Sequence, residues 1–252
     1  MEKADYGNWV SVRFVVVPGI LGLLLAVWAV FLPYVGIPAG VFALVSLYFL
    51  DARHQFSPRG RDVQARVLDQ VLTRLPSGSE VRQVLDIGCG SGALSIAIAK
   101  RYPAAQVIGI DPWGAGWEYS KRLCEQNAAV EDVADRVSFL RGDAESLPFE
   151  SEAFDLVVSN LVFHEVRGVR DKKKVIREAL RVVKRGKWFV FQDLFRWRAV
   201  YGRPDALLDA IRSWGIDYVE LVDTTDPAGI PRVLKLPFML GTVSVLCGRK
   251  GE

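Results

Sequence analysis

Residues 84–92 read Val84-Leu85-Asp86-Ile87-Gly88-Cys89-Gly90-Ser91-Gly92. A short apolar run carries an acid and then enters three alternating glycines; a helical pattern follows from Ala93 to Lys100. Glycine is needed where backbone turns tightly and approaches a ligand with no Cβ in the way. A second strand-like run, Gln106-Val107-Ile108-Gly109-Ile110, ends in Asp111. An acid at that distance from a glycine loop can accept hydrogen bonds from ribose hydroxyls, so the chemistry these residues suit is nucleotide binding.

The spacing Gly88-x-Gly90-x-Gly92 is not the G-x-G-x-x-G of nicotinamide enzymes. It resembles motif I of the class I S-adenosylmethionine (SAM)-dependent methyltransferases. Other matching stretches follow in order: Gly142-Asp143-Ala144 after Val137–Leu140, then Leu147-Pro148-Phe149, then Phe154–Asn160. The resemblance covers roughly residues 60 to 250. It implies a Rossmann-like α/β sheet with helices on both faces, SAM as cofactor, and small-molecule or quinone-type acceptors.

On that resemblance Gly88, Gly90 and Gly92 would wrap the methionine half of SAM, with Cys89 a small residue beside it. Asp86 would orient the amino-acid moiety, Asp111 would take the ribose hydroxyls, and Asp143 and Ala144 would recognise the adenine amino group. Without a ligand, Asp86 reads as a strand-end cap and Asp143 as a turn aspartate. Pro112 and Trp113 follow the ribose acid; Trp113 reads either as packing on the cofactor or as a core aromatic. Asn160 and Leu161 end the fourth strand, at the sheet edge where such folds bind ligands.

Methyl transfer from a sulfonium is an in-line displacement, and a base is required only where the acceptor must lose a proton. His164, one of two histidines, stands just past that fourth strand and titrates near neutrality. His164, Asn160 and Glu165 are the catalytic candidates, and Asp193, at the end of the fifth strand, is a further acid. Asn160 lacks the Asn-Pro-Pro-aromatic context of enzymes that methylate amino groups of DNA or protein.

The chain that positions these groups has 252 residues and a net charge of +3, which by itself is too small to indicate nucleic acid. Cys89, Cys124 and Cys247 lie far apart with no metal-ligand spacing, which suits reduced thiols. Strand and helix patterns alternate from Val81 onward, including a helix over Trp117–Ala129 and a strand over Lys187–Leu194, and argue for a mainly parallel sheet. The resemblance adds an antiparallel last strand over Thr242–Cys247.

No charged residue occurs from Phe14 to Leu50. Phe14–Leu32 is long enough to span a bilayer, roughly 28 Å as a helix. Pro33, Gly36, Pro38 and Gly40 mark a turn, and Val41–Leu50 continues apolar but short. Arg13 on one side and Arg53, Arg59 and Arg61 on the other favour a hairpin with both ends cytoplasmic. A cleaved signal peptide and a buried hairpin of a soluble protein are the alternatives. The expected organisation is therefore a membrane-anchoring hairpin over residues 1–52, a linker helix within 53–80 and a methyltransferase domain over 81–252.

Two stretches interleave aromatic, apolar and basic residues: Phe195–Tyr201 and Ile230–Leu240. A basic run from Arg167 to Lys187 reads as a solvated helix face or as a contact for anionic lipid. The expected partners are membrane lipids and a lipophilic acceptor, with no nucleic acid. Methylation of a phospholipid headgroup amine, and SAM binding without catalysis, are the competing readings.

Overall fold

The computed structural model describes residues 3–78, 80–114 and 119–252. The chain divides into two compact units. Of the described residues, one comprises 7–65; the other comprises 3–6 together with 66–78, 80–114 and 119–252.

The first unit is a pair of apolar helices, α1 (Arg13–Ala29) and α2 (Gly36–Phe56), joined by a 3-10 turn at Pro33–Val35. The two helices approach closely at Gly22, where a Cβ would stand 3.2–3.4 Å from Ala43 N, Ala39 O and Phe42 Cβ. Ser46 Oγ donates to Val15 O at 2.8 Å, and Phe14 stacks on Phe49 at 5.2 Å. The spans reverse the expected lengths. The first helix has 17 residues, whereas Pro33–Phe56 runs 24 residues and is long and apolar enough to cross a membrane. The second apolar run ends at Leu50; the structure carries its helix through Asp51 to Phe56, where Ala52 and Phe56 are buried on the same face.

Helix α3 (Val63–Leu72) leads towards a seven-stranded sheet. Its strands are β1 (Gln83–Ile87), β2 (Gln106–Asp111), β3 (Val137–Arg141), β4 (Phe154–Asn160), β5 (Val183–Asp193), β6 (Ile216–Asp223) and β7 (Ser244–Lys250). The spatial order is β3-β2-β1-β4-β5-β7-β6, all parallel except β7, which runs antiparallel to both neighbours. Between them lie α4 (Ala93–Arg101), α5 (Lys121–Val130), α6 (Lys173–Arg181), the short α7 (Arg198–Tyr201) and α8 (Pro204–Arg212). Trp117 and Glu118, part of the stretch expected to begin α5, lie outside the described residues; α5 is capped by Ser120, whose hydroxyl accepts from Leu123 N–H at 3.2 Å. Strand β5 begins earlier than the pattern suggests, because left-handed Gly186 (φ +66°) lets the strand pass through polar Lys184-Arg185.

Alternate residues of each central strand feed two cores, one per face. Leu85, Ile87, Val157, Phe189 and Phe191 join one; Val84, Leu156, Val158 and Val190 join the other. Helix α6 buries Val175, Ile176, Ala179 and Leu180 along one stripe. The chain order reverses between β1 and β4. That is the switch point where open parallel sheets form a ligand crevice, and both strands end there in functional candidates.

Candidate active site

The loop after β1 is shaped by its glycines. Gly88, Gly90 and Gly92 have φ of 72°, 55° and 83°, a region that side chains rarely adopt. Asp111, at the end of β2, holds this loop. Its Oδ2 accepts the Gly90 N–H at 3.0 Å, and its Oδ1 accepts the Trp113 N–H at 2.7 Å. Trp113 closes the bracket by donating Nε1–H to Gly90 O at 3.0 Å. The indole thus stands against the glycine loop and packs on the β1–α4 core, as the core-aromatic reading expects.

Asp86 is buried on the α4 face of β1, where its Oδ2 accepts the Ser95 hydroxyl at 2.6 Å. Burial pushes its carboxyl up to about 7, against the stabilising bond from Ser95 and with a further push from Asp111. Burial also raises the Asp111 carboxyl, with its two backbone N–H partners opposing and Asp143 adding to the rise. Asp143 is exposed and makes a turn contact to Glu145 N–H at 2.9 Å; Ala144 beside it is buried. Cys89 points into the core. Burial and the neighbouring Cys124 thiol lift its pKa well above the usual thiol range, which excludes a resting thiolate nucleophile.

Across the switch point, β4 ends in Asn160, whose Oδ1 is buried with no hydrogen-bond partner among the described residues. Leu161 then takes a left-handed conformation, φ 59°, held by its N–H bond to Gln192 O at 2.8 Å. Such strain in a non-glycine residue is characteristic of positions that shape a site. It turns the chain so that Val162 packs on Gly88 and His164 faces β5. His164 Nδ1 lies 2.7 Å from Asp193 Oδ1; Asp193 is fully buried and also accepts the backbone N–H groups of His164 and Leu194. His164 Nε2 lies 3.8 Å from Glu165 Oε1. Burial lowers the His164 pKa, but the Asp193 charge and hydrogen bond, with Glu165, outweigh it and the net shift is upward. Burial raises the Glu165 carboxyl to about 6, with the negative charges of Asp193 and Asp111 adding to the rise.

Asp111 raises the carboxyls of both Asp86 and Glu165, and Asp143 raises that of Asp111, so negative charge gathers at the ends of β1, β2 and β4. A field of that sign suits a cationic ligand, and SAM carries a sulfonium and an ammonium. Left-handed glycines, the neighbouring acids and the buried Asn160 acceptor together fit that cofactor.

Sequence reasoning missed four contributors: Ser95, Val162, Asn127 and Tyr201. Tyr201 is buried beside Asp193, which together with burial raises its hydroxyl pKa. It belongs to the aromatic stretch after β5, but nothing in its spacing pointed to Asp193. Leu147-Pro148-Phe149 is explained structurally. Glu178 accepts the Leu147 N–H at 2.9 Å, and Arg181 donates to Phe149 O at 2.8 Å. The basic run is largely engaged within the protein. Arg181 pairs with Glu178, Lys184 with Asp155, Arg185 with Glu152, Lys187 with Glu80, and Arg177 sits over Trp214.

A family model described as a methyltransferase domain matches residues 85–191. Ajmaline N-methyltransferase of Rauvolfia serpentina is 34% identical over 126 residues, covering 48% of this chain and 40% of that protein. Demethylmenaquinone methyltransferase of Lactiplantibacillus plantarum is 38% identical over 107 residues, covering 41% of each. The chain thus spans about two-fifths of the length of these relatives. Geranyl diphosphate C-methyltransferase from Streptomyces coelicolor A3(2) superposes with a TM-score of 0.57 over 75% of this chain and 80% of its own, at 15% identity, a likeness of fold alone. The stretch from β1 into β5, then, is similar to a methyltransferase domain, and the glycine loop with its acids fits S-adenosyl-L-methionine as the ligand.

Proposed function

We propose that this chain is a membrane-anchored SAM-dependent methyltransferase acting on a lipophilic acceptor. The observation that carries the acceptor class is the loop over residues 224–243. Asp193 of β5, Ser244 of β7 and Asp223 of β6 are paired in register, so this loop leaves the sheet at the same edge as His164. It exposes Val233, Leu236 and Phe238, the last at 53%, beside Arg232 and Lys235. Arg196 N–H bonds Thr242 O at 3.3 Å and brings in the second basic-aromatic stretch. Exposed apolar residues interleaved with basic ones suit a lipid–water boundary, where long cationic stems reach headgroups. The names of relatives support the class: one acts on demethylmenaquinone, and the C-methyltransferase of like fold was solved with geranyl diphosphate.

The anchor reading rests on the helical pair. Leu23 is 67% exposed, Val30 78% and Ile37 75%, an apolar exterior that water does not favour. Helices satisfy their own backbone groups and so tolerate lipid. Arg53 donates to Val10 O, and Asn8 Nδ2 donates to Arg53 O at 2.9 Å, which ties the two ends of the pair on one side. Arg13, Arg53, Arg59 and Arg61 flank that side, a charge distribution that supports a cytoplasmic orientation.

When bound, SAM supplies an electrophilic methyl group on a sulfonium. Asp111 would take its ribose hydroxyls, Asp86 and the glycine loop its amino-acid half, and Asn160 a donor at the crevice wall. His164 acts on the acceptor. Asp193 accepts its Nδ1–H, which leaves Nε2 as the basic nitrogen, and Nε2 takes the proton of an acidic C–H or O–H acceptor as the new bond forms. Glu165 beside Nε2 stabilises the imidazolium produced.

The test is turnover of labelled SAM by full-length protein with membrane-lipid extract. A labelled neutral isoprenoid or quinone-like product is expected. A labelled headgroup amine would favour the N-methylation reading, and SAM binding without any labelled lipid would favour a non-catalytic binder.

A further inference from the structure

The glycine loop is held from a place no cofactor motif indicates. Asn127 of α5 is 2% exposed and makes three hydrogen bonds with its side-chain amide. Its Oδ1 accepts the Asp5 N–H at 2.8 Å, and its Nδ2 donates to Asp5 O at 2.8 Å. This two-way pairing reproduces the hydrogen bonds of a β-bridge, with a side-chain amide in place of a neighbouring strand. The remaining Nδ2–H goes to Ser91 O at 3.0 Å, between Gly90 and Gly92. One buried amide therefore grips both the glycine loop and the segment that precedes the helical pair. Tyr6, the next residue, packs on the core cluster that contains Cys89, Leu94, Cys124 and Ala128. Burial and the Glu131 carboxylate raise its hydroxyl pKa, which keeps that group a neutral donor.

A loop with three left-handed glycines is entropically costly to order, so each fixed point matters. Gly90 is held by Asp111, Trp113 and Cys124. Ser91 is held by Asn127, and that hold depends on Asp5. Remove the Asp5 backbone partner, and a buried amide is left with an unpaired acceptor and an unpaired donor, a costly state in low dielectric. The amide would then turn towards water and release Ser91.

We propose that residues 3–6 form a strap that belongs to the cofactor site and that Asn127 is the positioning residue transmitting its hold to the glycine loop. The proposal rests on SAM being the ligand of that loop. It also means that SAM affinity responds to the residues that precede α1 in the chain.

The test uses full-length protein in detergent or nanodiscs, with SAM binding read by calorimetry. Asp5→Ala keeps the backbone N–H and C=O that Asn127 holds and is the reference that separates loss of the side chain from loss of the backbone pairing. Asp5→Pro, which has no N–H, and a truncation lacking residues 1–5 are each expected to weaken SAM binding about 5- to 10-fold, the effect of one or two lost neutral hydrogen bonds. In activity the loss should appear as a higher KM for SAM at unchanged kcat. Hydrogen exchange followed by mass spectrometry should quicken in the peptide spanning Gly88–Ser95, which also decides the matter if the truncation lowers the melting temperature. Wild-type affinity and unchanged exchange in both variants would overturn the strap. Failure of the wild-type protein itself to bind SAM would instead remove the cofactor reading beneath it.

Discussion

Val162 Cγ2 lies 2.2 Å from the point where a Cβ on Gly88 would stand. The loop after β1 and the turn after β4 thus close on each other, and the absence of a side chain at residue 88 is what permits it. Gly88→Ala should cost at least about 1–2 kcal/mol from the left-handed backbone alone, with the clash added. SAM binding should be lost, and Val162→Ala introduced alongside it should restore part of the thermal stability. Melting curves and calorimetry of the single and double variants check this; no recovery in the double variant would refute the contact as the cause.

Asp111 carries two loads, the glycine loop and the expected ribose hydroxyls. Asp111→Ala should weaken SAM binding by roughly 5- to 150-fold, the effect of about 1–3 kcal/mol for buried polar groups left unpaired. Asp111→Asn should fall between alanine and wild type, because only one of its side-chain atoms can accept. Equal affinity in all three proteins would remove Asp111 from the site.

His164→Ala should slow methyl transfer by about 10²–10⁴ with little change in SAM affinity. The base form is unprotonated His164, so activity should fall as pH drops through a pKa above the ordinary histidine value. Asp193 holds that pKa up. Asp193→Asn should therefore move the acid limb of the kcat profile to lower pH while reducing its plateau. A limb that stays in place would show that another group controls it.

SAM binding should itself depend on pH. Asp86 protonates at about 7 in the free protein, and a cationic ligand prefers its carboxylate. Affinity should fall as pH drops below 7, approaching tenfold per unit, with a proton released on binding. Titrations in buffers of different ionisation enthalpy measure that proton, and Asp86→Asn should abolish its release.

Full-length protein should sediment with membranes, resist alkaline extraction and be released by detergent. The motive is the uncovered apolar exterior of α1 and α2. Protein that remains soluble without detergent would rule out the anchor.

Some of this was legible in the chain itself. The glycine spacing, the acids at strand ends and the alternation of strand and helix depend on local rules: allowed φ, period-two burial and turn chemistry. Those rules act within a few residues, and so Gly88, Asp86, Asp111 and the position of His164 past β4 could be named from sequence. The uncharged stretch was equally plain, yet its division into a 17-residue and a 21-residue helix was not. An apolar run shows no internal boundary; which residues face each other across the pair, as Gly22 faces Ala39, decides where each helix extends.

The partners of the site residues were decided only by tertiary structure. Ser95 reaches Asp86, Asp193 reaches His164, Val162 fills the space over Gly88, and Asn127 joins Asp5 to Ser91. The last three depend on elements brought together by the strand order β1-β4-β5 and by the packing of α5 against β3 and α4, with separations of up to 122 residues. Local propensity carries no information on such pairings, because they exist only once the sheet has placed its strands. The chain's own residues specify a glycine loop followed by an acid-ended strand; the three-dimensional arrangement specifies what holds that loop in shape and which acid stands behind His164.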